Sequence, residues 1–190
     1  KIGDKLDIRS SINFISSKTS GKPAQGSNDP NVLTSIINGF PRTISNSILK
    51  NNITDKDGMP YEVVKNTNNP YWVTQNNKWQ NELNRVYGNF SINYELLDWM
   101  RLTARVGNDY FHEWRQHVTS KNTVTAATGR FNVRNITRNQ LNTDLMLTID
   151  KNIADDFNLT AVFGHNMNER FSRLDYITAN DLVASNVYVY

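Results

Sequence analysis

Residues 84–110, NRVYGNFSINYELLDWMRLTARVGNDY, alternate apolar and polar side chains on both sides of a short break. A period of two residues is that of a β-strand, so the stretch predicts a hairpin with one apolar and one polar face. If the same face stays apolar through the turn, opposed residue numbers must sum to an even number, and a turn at residues 97–99 sets Glu95 against Arg101. The apolar positions are the even ones: Val86, Phe90, Ile92, Tyr94, Leu96, Met100, Leu102, Ala104, Val106 and Tyr110.

The same alternation predicts three further strands, around residues 6–14, 141–149 and 159–163. The sequence thus predicts an all-β fold with about five long strands and no long helix. The polar face carries charges of both signs, among them Arg85, Arg105 and Asp109. Such a face suits a hydrated lumen or the solvated side of a soluble sheet equally well.

The predicted connections between the strands alternate in length. Compact domains seldom contain very long structureless connections, whereas outer-membrane barrels combine long extracellular loops with short periplasmic turns. Within the first connection, DPNVLTSIINGFP at residues 29–41 predicts a short helix that Asp29 caps and that Gly39 and Pro41 end. In chain order, the predicted connections are a long extracellular loop at 18–80, a tight turn at 97–99, a longer link at 118–138 and a tight turn at 153–156.

Composition limits the classes of function. The chain is 38% hydrophobic, and its mean hydropathy of -0.59 at first resembles that of a soluble protein. A membrane-spanning strand, however, presents only every second residue to lipid, so a barrel segment is polar on average. The net charge of +3 includes no basic block, which argues against nucleic acid as a partner. The absence of cysteine excludes disulfides and thiolate metal sites within these 190 residues.

Two settings produce long alternating antiparallel strands. In a transmembrane barrel the apolar face meets lipid over roughly 9–11 residues per strand. In a soluble β-sandwich it packs on a second sheet, and strands are typically about five or six residues long. The predicted arms favour the barrel by their length. The alternative is a soluble β-sandwich carbohydrate-binding module with this buried core: Phe90, Ile92, Leu102, Ala104, Leu145 and Leu147.

Four segments together carry a resemblance to a known family. They are NPYW at residues 69–72, NRVYGNFS from residue 84, DWMRLTARVGNDY from residue 98 and LNTDLMLTIDKNIADDFNL from residue 141. Their order and spacing resemble the barrel portion of SusC/RagA-family TonB-linked outer-membrane proteins of Bacteroidetes. The resemblance spans nearly the whole chain. It identifies residues 1–190 as part of a TonB-dependent receptor barrel domain, without a plug domain.

The resemblance implies a location in the outer membrane and a barrel of about 22 strands with a plug in its lumen. It also implies energy input from the TonB complex through the N-terminal region of a longer parent. A SusD-like surface lipoprotein would cap the barrel and capture oligosaccharides or peptides. The expected partners are therefore this lipoprotein, the TonB complex, outer-membrane lipid and the substrate. The chain itself would be a fragment of an importer for glycans or peptides.

No pattern of catalytic residues is recognisable, so we expect neither enzymatic activity nor a cofactor. His112 and His117 differ by five positions, which places them on opposite faces of a strand and argues against a shared metal ion. Tyr71, Trp72 and Trp79 are the candidates for contact with a substrate or partner, because aromatic rings stack on sugars. The alternative is that NPYW forms a structural turn that anchors the loop.

Overall fold

A computed structural model of the protein describes residues 4–21, 40–124 and 126–184. The helix expected at residues 29–41 lies almost entirely outside these ranges. The described residues form five strands in one open antiparallel sheet, in the order β1-β2-β3-β4-β5. The strands are β1 (Leu6–Ser20), β2 (Lys78–Leu97), β3 (Met100–Thr119), β4 (Arg130–Ala154) and β5 (Phe157–Asn180). The all-β fold and the five strands are confirmed.

The described part of the connection between β1 and β2 contains two short helices. Helix α1 is Asn46–Asn51 and helix α2 is Pro70–Asn76. Ser45 caps the first through its side chain, which accepts a hydrogen bond from the Ile48 amide at 3.4 Å. In the described part of the chain, no helix has the length and apolar character needed to cross a membrane.

The tight turns are where the sequence predicts them, but one connection is shorter. The turns consist of residues 98–99 and 155–156, whereas β4 begins at Arg130 and leaves only residues 120–129 for the link predicted at 118–138. That prediction is wrong because RFNVRNITR pairs with β3. Phe131 and Val133 pack against Val118, and this packing outweighs the turn preference of the asparagines. Strand β5 likewise continues well beyond residue 163.

Side-chain pairs confirm the register of the hairpin formed by β2 and β3. Arg101 Nη2 lies 3.7 Å from Glu95 Oε1, as the even sum of residue numbers predicts. One pair further along, Thr103 Oγ1 donates a hydrogen bond to Asn93 Oδ1 at 2.8 Å. The two pairs keep the same sum, so the hairpin has no slip in register over this stretch.

The contacts between residues divide the chain into two compact units. The first unit is Lys1–Ser16, Leu83–His112 and Ile136–Leu174, and the second is Ser17–Glu82, Glu113–Asn135 and Asp175–Tyr190. Every buried apolar residue of the described chain belongs to the second unit. These are Leu49, Pro70, Trp72, Val73, Val118, Phe131 and Val133.

In the first unit, β1 and β2 approach closely at Gly88. A Cβ atom at this position would overlap the carbonyl oxygen of Ser11 and lie 3.2 Å from the Ile12 Cα. Only glycine allows this approach of the two backbones. The resulting depression is lined by apolar side chains of Ile12, Val86 and Phe90.

Candidate functional site

The first unit presents an apolar surface to which all five strands contribute. We call the apolar side chains that form this surface the apolar face. Its side chains are exposed even in strands that have a neighbour on each side, since Phe90 of β2 is 41% exposed and Leu145 of β4 is 51% exposed. Six of the ten apolar residues predicted for the hairpin are therefore exposed in the described chain, and the other four are partly buried. Its exposed members include Ile8, Ile12, Phe14, Val86, Phe90, Tyr94, Leu96, Val106, Tyr110, Leu145, Leu159 and Phe163.

Polar pairs mark where the apolar face ends. Ser16 Oγ donates a hydrogen bond to Asn84 Oδ1 at 2.9 Å, two residues beyond Phe14 on β1. On the neighbouring strands, His112 Nδ1 and Thr137 Oγ1 are 3.1 Å apart, two residues beyond Tyr110. The apolar positions thus form a band of limited height. On β5, His165 interrupts the apolar alternation between Phe163 and Met167.

One amide pair interrupts the apolar face. Asn108 of β3 has the same parity as Val106 and Tyr110, and it lines the depression at Gly88. Its Nδ2 donates a hydrogen bond to Asn139 Oδ1 on β4 at 2.9 Å. Each amide therefore satisfies part of the hydrogen-bonding capacity of the other.

The opposite face of the first unit carries paired charges and amides. Arg85 donates from Nε and Nη2 to the two carboxylate oxygens of Asp109, at 2.8 and 2.6 Å. The guanidinium carbon of Arg85 lies 4.9 Å from the ring centroid of Tyr87. Asn166 Nδ2 donates to Asp144 Oδ1 at 2.6 Å. The bidentate geometry and the neighbouring amides give this polar face fixed hydrogen-bonding groups.

The structure gives the NPYW segment a structural role in the second unit. Asn69 is 1% exposed and caps helix α2, where its Oδ1 accepts a hydrogen bond from the Tyr71 amide at 2.9 Å. Its Nδ2 donates to the carbonyl oxygens of Leu49 and Asn52, at 2.8 and 2.7 Å. Trp72 is 4% exposed, so its side chain is packed within the second unit. The structure thus places Trp72 in a buried position, and its contact with a substrate stays a prediction.

Tyr71 is partly buried, and it also holds the two helices together. Its hydroxyl donates a hydrogen bond to Asn46 Oδ1 at the start of α1, at 2.8 Å. Two further asparagines fasten the link at residues 120–129. Asn68 Oδ1 accepts from the Val124 amide at 2.8 Å, and Asn77 Oδ1 accepts from the Ser120 amide at 2.8 Å. The asparagines of this region thus replace secondary-structure hydrogen bonds with side-chain bonds.

Trp79, the third candidate, lines a small pocket in the second unit. We call this cavity of about 110 Å³ the Trp79 pocket. The ring of His117 lies against the indole with centroids 4.4 Å apart and planes tilted by 34°. The pocket is lined by Trp79, Arg115, Gln116, His117, Asn132 and Arg134.

The two arginines of the Trp79 pocket are held differently. Arg115 Nη2 donates to Glu113 Oε2 at 2.7 Å, and this hydrogen bond raises the pKa of the guanidinium. The Glu113 carboxylate also accepts from Asn81 Nδ2 at 2.8 Å. Arg134 instead lies over the Tyr176 ring, with its guanidinium carbon 4.7 Å from the centroid. Within the described chain, Arg134 forms no ion pair with a carboxylate.

No protein-family model matches the chain, and no curated protein matches it either. Among residues 4–21, 40–124 and 126–184, no group of three or more histidine, aspartate or glutamate side chains is placed to hold a metal ion.

Sequence reasoning named Trp79 but missed most of its neighbours in the pocket. The register that sets Glu95 against Arg101 also sets Trp79 against His117, so the pair could be found by extending the hairpin along both strands. Asn132 and Arg134 could not be found in this way, because they lie in the stretch assigned to a link rather than to β4.

Proposed function

We propose that this chain is part of the membrane-spanning wall of a TonB-dependent outer-membrane importer of the SusC/RagA type. The observation that carries the proposal is the uncovered apolar face of the first unit. A soluble protein rarely exposes a contiguous apolar surface larger than a few hundred Å², because such a surface promotes association. Contact with the acyl chains of lipid accounts for an apolar face on strands that are polar on their other side.

The height of the apolar face supports contact with a bilayer. On β2 it runs from Val86 to Leu96, roughly 33 Å along the strand at ~3.3 Å per residue. At the ~45° tilt of a transmembrane strand, this length covers roughly 23 Å along the membrane normal. The apolar band of outer-membrane barrels is about 25 Å tall. The limits at Ser16–Asn84 and His112–Thr137 therefore lie where the membrane interface would be.

The polar face supports a hydrated lumen. Arg85 and Asp109 form a bidentate ion pair, with both side chains still about two-fifths exposed at 40% and 38%. Removing such charges from water costs several kcal/mol per ion, so they favour a water-filled interior over a packed core. A β-sandwich would need a second sheet on the apolar face, and the described residues provide none.

The open edges of the sheet imply further strands. Among the residues that the structure describes, strands β1 and β5 each pair with one neighbouring strand. An unpaired edge in lipid leaves backbone groups unsatisfied at several kcal/mol each, so barrels close with an even number of at least about eight strands. In this proposal, other strands of the parent pair with β1 and β5. The resemblance to SusC/RagA proteins adds the TonB complex and a SusD-like lipoprotein as partners, and glycans or peptides as cargo.

Nitroxide labels on single cysteines test this proposal, since these 190 residues contain no native cysteine. The apolar-face labels replace Phe90 and Val106, and the matched polar-face labels replace their exposed neighbours Asn89 and Arg105. In the full-length protein in lipid vesicles, we expect oxygen, which concentrates in lipid, to relax the first pair. A water-soluble nickel complex should relax the second pair. Nickel access to positions 90 and 106, or shielding of both from oxygen, would overturn the proposal.

A further inference from the structure

The Trp79 pocket combines positive charge with sugar-binding side-chain types. Arg115 and Arg134 both line it, and only Arg115 is neutralised by a described carboxylate, that of Glu113. Arg134 rests on the Tyr176 ring, which orients the guanidinium without cancelling its charge. The pocket therefore keeps a net positive charge, and its cationic group is one that binds carboxylates with two parallel hydrogen bonds.

The other walls of the pocket are formed by aromatic and amide side chains. Trp79 provides an aromatic wall, and His117 holds it in place by ring contact at 4.4 Å. Asn132 adds an amide whose Oδ1 accepts a hydrogen bond from the Tyr176 hydroxyl at 3.2 Å, which leaves its Nδ2 available as a donor to a ligand. Aromatic walls and amide donors are the groups that contact the carbon faces and hydroxyls of sugar rings.

The size of the Trp79 pocket limits what it can hold. Its volume is about 110 Å³. Sites that enclose a whole drug-sized molecule are typically about 300–1,000 Å³. The pocket thus accommodates one substituted end of a larger ligand, such as a ring carbon with its carboxylate. The rest of such a ligand would extend outside.

We infer that the Trp79 pocket binds the carboxylate of an acidic sugar, with the Arg134 guanidinium as the main contact of the carboxylate and Trp79 as the wall beside the ring. This inference rests on the proposed importer and narrows its cargo to saccharides that contain uronic acids. A carboxylate can also belong to an acidic peptide. The combination of aromatic wall and amide favours the sugar, and the experiment below separates the two.

The test is a titration of the full-length protein in detergent, followed by tryptophan fluorescence. The probes are galacturonate, galactose and the dipeptide Glu-Glu. Galactose has the same ring with a hydroxymethyl group in place of the carboxylate, so it isolates the contribution of the charge. We expect a saturable change with galacturonate that weakens as salt is added, and little change with the other two probes. The change should be absent in Trp79→Phe.

The decisive variant is Arg134→Gln, which should weaken galacturonate binding about tenfold or more. Arg138→Gln is the matched control, because Arg138 is also on β4 and also lies over a ring, that of Phe111 at 5.5 Å, but does not line the pocket. Calorimetry with these two variants gives the answer even if Trp79→Phe does not fold. Equal loss in both variants, equal binding of galactose, or binding of Glu-Glu alone would overturn the inference.

The result of this binding experiment can be judged separately from the membrane proposal. Binding in detergent reports on the Trp79 pocket, whereas the nitroxide labels report on the apolar face. A protein with lipid-accessible positions 90 and 106 that ignores galacturonate would retain the importer proposal and lose the sugar assignment. A protein that binds galacturonate but keeps those positions away from lipid would retain the sugar assignment and lose the importer proposal.

Discussion

Asn69 Nδ2 donates a hydrogen bond to the carbonyl oxygen of Leu49 at 2.8 Å, and so links the start of α2 to the end of α1. With its cap of the Tyr71 amide and its bond to the Asn52 carbonyl, the side chain makes three hydrogen bonds. All of them are lost together in Asn69→Ala. Because Asn69 is 1% exposed, water does not replace them.

We expect Asn69→Ala to destabilise the helix pair locally by about 2 kcal/mol, which accelerates hydrogen exchange of its amides roughly thirtyfold. Exchange should be measured by mass spectrometry on peptides that cover residues 46–77. Asn51→Ala is the control, since Asn51 is exposed at the end of α1. If both variants exchange at the wild-type rate, the two helices are held by something other than the Asn69 side chain.

Gly88 and Gly107 provide a matched test of the close approach between β1 and β2. A Cβ at Gly88 would overlap the Ser11 carbonyl oxygen, whereas a Cβ at Gly107 would have an ordinary contact at 3.8 Å. We expect Gly88→Ala to lower the free energy of unfolding by about 1–3 kcal/mol, because the two strands must separate. Gly107→Ala should be neutral or stabilising. Urea unfolding of the detergent-solubilised protein measures both, and equal effects would contradict the close approach of β1 and β2 at Gly88.

The sequence predicts this fold well where alternation is strong and poorly where asparagines are frequent. The hairpin at residues 84–110 is recognisable because its period of two continues through both arms, and one even sum fixes the Glu95–Arg101 pair. In RFNVRNITR, the local preference of asparagine for turns conceals a strand that forms through pairing with β3. Phe131 and Val133 reveal it only when Val118 is known to lie beside them.

The candidate site shows the same limit. NPYW is an exposed aromatic motif when it is read along the chain, yet Trp72 is buried by contacts that are distant in sequence. Asn69 alone bonds to residues 17 and 20 positions away. Trp79, one of the candidate contact residues, lines a pocket, but the arginine that distinguishes this pocket, Arg134, lies on a strand that local propensity does not predict.

A charge on the apolar face should be far more costly than the same charge one residue away. Phe90→Arg places a guanidinium near the middle of the apolar stretch of β2, where Arg in a bilayer costs about 2–4 kcal/mol. Asn89→Arg places the guanidinium on the polar face instead. The two variants are comparable because both positions are exposed. We expect Phe90→Arg to reduce unfolding stability in lipid vesicles by that amount and Asn89→Arg to change it little.

Phe90→Gln controls for the loss of the aromatic ring in this experiment. It should retain more stability than Phe90→Arg, because an uncharged amide is less costly to desolvate than a guanidinium. If Phe90→Arg and Asn89→Arg were equally stable, the face that contains Phe90 would be in contact with water, and the membrane assignment would be wrong.

The Asn108–Asn139 pair reports on the same environment through its coupling energy. In lipid, Asn108→Leu leaves the Asn139 amide without a partner, and Asn139→Leu does the same to Asn108. Replacing both removes the unpaired groups and gives lipid an apolar surface. The four proteins of this double-mutant cycle should therefore show a coupling of about 0.6–2 kcal/mol, with the double variant at least as stable as the wild type.

If Asn108 and Asn139 face water, we expect a different result for the same four proteins. An amide left by one substitution would be hydrated, so the two effects would add to within about 0.3–0.5 kcal/mol. Equilibrium unfolding in lipid vesicles distinguishes the two cases, because their predicted couplings differ in size and the stability of the double variant differs in sign. A small coupling combined with a destabilised double variant would place Asn108 in water. Two leucines that stay in contact with water bury no apolar area, so they do not stabilise the folded protein.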